Sequence, residues 1–169
     1  MILTLLRTGM RIGELLSLRV NDVDLRQRRV KIYQSEKNSI GRVVYVSDDA
    51  CAALRLWLQQ RNSSKSYLFY GQRGPLGYTA SRDRFIHYLG KAGLADKGYT
   101  LHCLRHTFAT DLLNAGMHLE CLQQLLGHSK IEVTRIYARL SDATREEQYF
   151  KAMTKIERGE SDEFNRLDC

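Results

Sequence analysis

Apolar residues in the second half of the chain recur at helical spacing, and this periodicity constrains the fold more than any other feature. They are Leu104, Phe108, Leu112, Leu119, Leu122 and Leu126. Residues three or four positions apart lie on one face of an α-helix, so these segments predict two helices with buried faces. Gly116 and Gly127 mark the positions where these helices end. We expect a last helix over residues 142–156.

The first half of the chain combines helices with one predicted β-hairpin. Residues 29–33 alternate, with Val30 and Ile32 on one side, and residues 42–46 are rich in β-branched and aromatic side chains, so both read as strands around a polar tip at residues 34–41. Other segments predict helices at 1–7, 11–19, from 47 onward and around Phe85, a turn at 21–24 and a short strand at 67–70. The fold class that follows is a mainly helical α+β domain with one small antiparallel sheet.

Charge divides the chain into a basic body and an acidic tail. The 169 residues, the length of one domain, carry 26 Lys and Arg against 19 Asp and Glu, a net charge of +7. Residues 157–169 contribute −3, which leaves +10 on residues 1–156. We expect residues 1–156 to form the folded domain and residues 157–169 a flexible tail. A basic body favours nucleic acid as partner, although a merely soluble basic protein has the same balance.

Cysteine spacing and hydropathy narrow the class of protein further. The four cysteines are scattered without a CxxC pair, so reduced thiols are expected. The apolar run at residues 1–6 is far too short to cross a bilayer. These features predict a cytoplasmic protein that does not associate with a membrane.

Three segments place cationic or imidazole side chains next to turns. Residues 8–15 (TGMRIGEL) put Arg11 at the start of a helix with Glu14 three positions on, a spacing that ordinary surface pairs also show. Residues 101–107 (LHCLRHT) put His102 and Arg105 on one helical face, where an imidazole and a forked cation suit a phosphate. Residues 125–131 (LLGHSKI) put a histidine at a helix boundary, and Tyr137 follows nine residues after it.

A metal site is the alternative explanation for the histidines. His102 and His106 stand four residues apart and could ligate a metal, but the catalytic glutamate of a zinc-protease helix is absent and the sequence indicates no third ligand. A metal-dependent nuclease would combine this pair with Asp22 and Asp24, which more simply make a turn.

Together the three segments resemble the conserved boxes of the tyrosine recombinase, or phage integrase, family, from about residue 5 to residue 139. The first box is similar to residues 8–15, the second to 102–110 (HCLRHTFAT) and the third to 125–137 (LLGHSKIEVTRIY). The resemblance implies that Arg11 and Arg105 are the two catalytic arginines, that His102 and His128 are the imidazole positions, and that Tyr137 is the nucleophile.

Two further positions complete the site that the resemblance implies. Lys37 matches the family's hairpin lysine, with Arg42 five residues later and Lys31 as a nearby alternative. Glu14 occupies the position that supports the first arginine in similar sequences. Arg139 departs from the family pattern, since a histidine often stands two residues beyond the tyrosine; it keeps a hydrogen-bond donor there.

The resemblance also implies a function. It is that of a site-specific DNA recombinase or integrase that cleaves and rejoins double-stranded DNA through a 3′-phosphotyrosyl intermediate, without metal, ATP or other cofactor. Family members normally carry a separate N-terminal DNA-clamping domain, which we expect this chain to lack, and full-length members self-associate into a tetramer on paired sites. The alternatives are a truncated, non-catalytic DNA-binding relative and a type IB topoisomerase-like activity that relaxes DNA.

Overall fold

A computed structural model of the chain describes residues 1–33, 40–127 and Phe150. Within these ranges helices predominate and one three-stranded antiparallel sheet forms. The helices are α1 (Ile2–Thr8), α2 (Ile12–Ser17), α3 (Asp48–Gln60), α4 (Tyr78–Lys91), α5 (Leu101–Asn114) and α6 (Leu119–Leu126). The predicted mainly helical α+β class is confirmed. None of the helices in these ranges is both long and apolar enough to span a membrane.

The sheet confirms the predicted hairpin. Its strands run in the order β1 (Val23–Asp24), β2 (Arg29–Tyr33) and β3 (Ile40–Tyr45). Val30 of β2 pairs with Val44 of β3 and both are fully buried, while Ile32 pairs with Arg42. Because paired residues in adjacent strands share a face of the sheet, Arg42 lies on the buried face. The hairpin tip, with Lys37, lies outside the described residues.

The segment at residues 21–24 is more regular than the predicted turn. A 3₁₀ turn at Val20–Asp22 leads directly into β1. The carboxylate of Asp22 accepts a hydrogen bond from the backbone N–H of Arg19, and that of Asp24 accepts from the backbone N–H groups of Arg26 and Gln27. Both aspartates therefore stabilise local turns, and a short strand forms between them because this segment pairs with β2.

Two predicted element boundaries were wrong. The second helix ends at Ser17 instead of Arg19, because Leu18 is extended and its carbonyl accepts the N–H of Leu68. Residues 67–70 do not form a strand but make two isolated bridges, to Arg19 and to Pro75. Their hydrogen bonds go to different segments, so no continuous ladder develops, although the apolar pattern resembles that of a strand.

The buried side chains form two apolar clusters. The larger one lies among α1 to α4 and the sheet, and the smaller one lies between α5 and α6. The smaller cluster contains Phe108, Ala109, Leu113, Leu122 and Leu126. Leu125 packs against both clusters, so α6 is attached to the rest of the domain. This packing confirms the predicted apolar faces of the last two described helices.

Helix α1 ends at Thr8 and is capped by Gly9, which also lies close to α5. Its φ of 61° is left-handed, and its N–H bonds the carbonyl of Leu5. A Cβ atom at Gly9 would lie 2.2 Å from Cδ1 of Phe108. The end of α1 therefore approaches α5 so closely that it leaves no room for a side chain. This approach brings the chain that leads to Arg11 next to α5.

Candidate active site

Arg11 stands at the first turn of α2 with its side chain in solvent. Its backbone N–H donates to Oε2 of Glu14 over 2.6 Å, and its Nη1 donates to Oε1 of the same carboxylate over 3.1 Å. The Arg11 side chain is 48% exposed. One carboxylate thus fixes both the start of the helix and the cation beside it. The guanidinium stays accessible to an anion.

Glu14 is held more firmly by a residue that the sequence did not single out. Nη1 and Nη2 of Arg42 donate to Oε1 and Oε2 of Glu14, each over 2.8 Å, and the two side chains are only 13% and 17% exposed. Burial alone would raise the pKa of Glu14, but the bonds from Arg42 and from the Arg11 N–H, with both positive charges, outweigh it and lower the pKa. The carboxylate is therefore ionised at neutral pH.

Arg105 is buried in the middle of α5 and anchored to two distant segments. It is 3% exposed. Its Nη1 donates to the carbonyl of Gly9 over 2.5 Å, and its Nη2 donates to the carbonyl of Leu126 over 2.8 Å. These bonds join the end of α1, the end of α6 and α5 through one guanidinium. The orientation of Arg105 is consequently set before any ligand binds.

His102 lies one turn before Arg105 on α5, and its side chain is exposed. Burial of part of the ring, the neighbouring His106 and the positive charges of Arg105 and Arg11 lower the pKa of His102. The rings of the two histidines meet edge to face, with centroids 4.6 Å apart. Arg105, one turn after His102, binds the carbonyl of Gly9, two residues before Arg11, so the first and second boxes lie side by side. The imidazole is neutral at physiological pH and can accept a proton.

Two arginines hold the last turn of α6. Nε of Arg42 donates to the carbonyl of Leu125 over 3.0 Å, next to the carbonyl of Leu126 that Arg105 binds. Gly127 then ends the helix with a left-handed φ of 67°. His128, which follows, lies outside the described residues. The start of the third box is thus fixed by side chains of β3 and α5.

The structure brings together the predicted site residues that it describes. Arg11 is bonded to Glu14, and Arg105, on the same helix as His102, binds the carbonyl of Gly9, two residues before Arg11. Lys37, His128 and Tyr137, together with Arg139, fall in the residues left undescribed. Sequence reasoning missed Arg42, although a signal existed. Alternate residues of a strand face the same side, so the predicted strand places Arg42 on the same face as Val44 and Val46. A charged side chain on that buried face needs a partner of opposite charge.

The aspartates of the alternative metal site are occupied elsewhere, in the turns that lead into and out of β1. Within residues 1–33 and 40–127, no three His, Cys, Asp or Glu side chains come close enough to hold a metal ion.

Comparison with known proteins establishes the relationship of this chain. The model of the phage integrase family matches residues 1–144. The chain belongs to the phage integrase family. It is 38% identical to tyrosine recombinase XerC of Roseiflexus castenholzii over 146 residues, 79% of this chain and 44% of that protein. It is 34% identical to XerC of Leptospira interrogans over 155 residues, 90% of this chain and 49% of that protein. The chain spans about half the length of these curated relatives.

Solved structures give the same result for the fold. A crystal structure of XerA recombinase superimposes with a TM-score of 0.75 at 31% identity, over 88% of this chain and 54% of that one. The Tn1549 transposon integrase in complex with circular intermediate DNA superimposes with a TM-score of 0.71 at 26% identity, over 89% of this chain and 58% of that one. XerH bound to its difH substrate superimposes with a TM-score of 0.69 at 27% identity, over 88% of this chain and 44% of that one. The resemblance read from the three boxes, and the fold class it implied, are confirmed.

Proposed function

We propose that this chain is the catalytic part of a site-specific recombinase that cleaves and rejoins strands of double-stranded DNA through a 3′-phosphotyrosyl bond to Tyr137. The observation that carries the proposal is the bond from Arg105 to the carbonyl of Gly9, 96 residues away, which brings the helix of His102 and Arg105 next to the segment of Arg11. Membership of the phage integrase family supports the reaction class. Solved relatives bound to circular intermediate DNA and to difH substrate support the choice of DNA.

The two arginines have complementary properties for binding a phosphate. An in-line attack on a phosphodiester places extra negative charge on the non-bridging oxygens, which guanidiniums stabilise through forked hydrogen bonds. Arg105 is fixed by two carbonyls, so it needs no reorganisation during the reaction. Arg11 is half exposed and can approach the phosphate from solvent. Removal of one such preorganised donor costs on the order of 10²–10³ in rate.

His102 is the proposed general base. The phenol of a tyrosine has a pKa of about 10, so attack at neutral pH requires a group that takes the proton. The lowered pKa of His102 keeps its imidazole in the neutral, proton-accepting form. In the same scheme Tyr137 bonds to phosphorus as the bond to the 5′ oxygen breaks. Lys37 protonates that oxygen, and His128 donates a hydrogen bond to the phosphate.

Rejoining reverses these steps. The freed 5′ hydroxyl attacks the phosphotyrosyl ester, which retains the bond energy of the diester, and the tyrosine leaves with its proton restored. The chemistry is therefore balanced without ATP, metal or other cofactor.

The proposal includes the organisation of the chain. We assign catalysis to residues 1–156, with residues 157–169 as an acidic tail. DNA binding by this part alone is expected to be weaker than that of a full-length relative, since phosphate contacts add to affinity and this chain covers about half of such proteins. Self-association into a tetramer on paired sites is proposed for the chain when it acts at the full length of its relatives. Action on DNA also favours the cytoplasmic location that the sequence predicts.

The test is detection of the covalent intermediate. The chain is incubated in EDTA with nicked duplexes made from the DNA that flanks its own gene, and adducts are separated on denaturing gels and mapped by mass spectrometry. We expect an adduct at Tyr137 that is absent in Tyr137→Phe. Tyr88→Phe, at an exposed tyrosine on α4, is the matched control and should form the adduct normally. Adduct formation by Tyr137→Phe, or a requirement for a divalent metal, would contradict the proposal.

A further inference from the structure

Arg42 is a charged residue on the buried face of the sheet, and its three hydrogen bonds go to two residues, Glu14 and Leu125, in segments that carry site residues. We propose that Arg42 is a positioning residue: it orients Arg11 through Glu14 and fixes the end of α6, from which the chain continues to His128. This inference rests on the proposed function, because the geometry that it explains is that of a phosphate site.

The first contact determines how Glu14 holds Arg11. Arg42 engages both oxygens of the carboxylate, so the plane of the carboxylate cannot rotate. Oε1 of that fixed group is also the acceptor for Nη1 of Arg11. Without Arg42, Glu14 would lose the forked partner that lowers its pKa against the effect of burial. The Arg11 guanidinium would then be held by a carboxylate free to turn.

The second contact reaches the end of α6. Nε of Arg42 bonds the Leu125 carbonyl, one of the last carbonyls of the helix, which have no partner within it. The same guanidinium occupies the space beside Gly127, since a Cβ there would lie 2.8 Å from Nη1 of Arg42. The absence of a side chain at Gly127 thus lets Arg42 reach Leu125 and Glu14 together. One guanidinium links residues 28 positions before it and 83 positions after it in the sequence.

A purely structural ion pair would have the same contacts, so the test must separate positioning from stability. Cleavage rates are measured in single turnover on nicked duplexes that carry either the normal phosphate or a methylphosphonate at the scissile position. The methylphosphonate lacks one charged non-bridging oxygen, so a misplaced Arg11 affects its cleavage less. A loss of folded protein lowers both rates by the same factor.

We expect Arg42→Gln to slow cleavage of the phosphate by about 10–100-fold, the usual effect of removing a group that supports a site residue, and to slow the methylphosphonate much less. Arg42→Lys, which keeps the charge but not the fork, should fall between wild type and Arg42→Gln. The matched control is Arg61→Gln. Arg61 is another buried arginine that donates to two carbonyls, those of Lys65 and Tyr67, away from the site. Arg61→Gln should lower the melting temperature without changing the ratio of the phosphate and methylphosphonate cleavage rates.

Two results would overturn the inference when the wild-type chain cleaves DNA. One is cleavage of the phosphate by Arg42→Gln at the wild-type rate. The other is an equal slowing of both substrates, as expected from Arg61→Gln. If the wild-type chain forms no adduct, the proposed function fails separately. The effect of Arg42 is then measured by titrating sodium tungstate, a tetrahedral oxyanion, into wild type and Arg42→Gln while following the side-chain ¹⁵N signal of Arg11. Tighter binding by wild type than by Arg42→Gln supports the inference; equal binding, or none in either, overturns it.

Discussion

The close approach of α1 to α5 predicts that Gly9→Ala is strongly destabilising. An alanine at φ +61° pays the cost of a left-handed backbone, about 1–2 kcal/mol. Its Cβ would also lie 2.2 Å from Cδ1 of the buried Phe108 ring, so one of the two helices must shift, and overpacking of this kind costs about 1–3 kcal/mol. The expected loss in the free energy of unfolding is therefore about 2–5 kcal/mol.

Two other glycines separate these contributions. Gly93 has a φ of +69° with open space where a Cβ would stand, so Gly93→Ala should show the backbone cost alone. Gly13 lies within α2, with no positive φ and nothing within 4 Å, and Gly13→Ala should stabilise by about 0.5–1 kcal/mol. The free energies of unfolding of the three alanine variants are measured by urea unfolding, monitored through the fluorescence of the single tryptophan, Trp57.

The steric part has its own check. Phe108→Leu shortens the side chain that the new methyl group would meet, so it should cost less stability in the Gly9→Ala background than in wild type. A loss of stability in Gly9→Ala no larger than that in Gly93→Ala would refute a steric clash between Gly9→Ala and Phe108.

Three further predictions concern the site. The pKa of Glu14 is lowered in the folded state, so the stability that it contributes is present above the ordinary glutamate pKa and is lost as pH falls through the folded-state pKa. The urea midpoint of Glu14→Gln should therefore decrease less on acidification than that of wild type. The pKa of His102 is lowered too, so wild-type stability should rise with pH up to the ordinary histidine value, and His102→Asn should lack that rise. Gly127→Ala, also at a left-handed φ, should displace Arg42, reduce the free energy of unfolding by about 2–5 kcal/mol and raise the pKa of Glu14 as read by carbon NMR, whereas an unchanged pKa would contradict the contact.

Much of the architecture follows from local rules. Helices α3 to α6 and the β2–β3 hairpin are predictable because buried side chains recur with the period of the element that carries them. The end of α1 is predictable because a left-handed residue after a helix favours glycine, which is what stands at position 9. The pairing of His102 with Arg105 follows from their spacing on one helix.

The remaining features depend on contacts between segments far apart in the sequence. The bonds from Arg105 to Gly9 and Leu126 span 96 and 21 residues and form only once α1, α5 and α6 have packed. Residues 67–70 read as a strand because Leu68 and Phe69 are apolar, but their backbone partners lie in two separate segments. The partner of Arg42 could be anticipated as a carboxylate, but its identity as Glu14 required the packed sheet and α2.

The contrast between an exposed Arg11 and a buried Arg105 has a consequence for which catalytic residues are lost first when such genes are no longer selected for activity. Changing Arg105 removes bonds that join three helices, so selection for a folded product would retain it even in a copy that no longer performed the proposed DNA cutting. Changing Arg11 removes a single exposed pair with Glu14, an interaction that contributes little to stability. A copy that persists only as a DNA-binding remnant is therefore expected to lose Arg11 well before it loses Arg105.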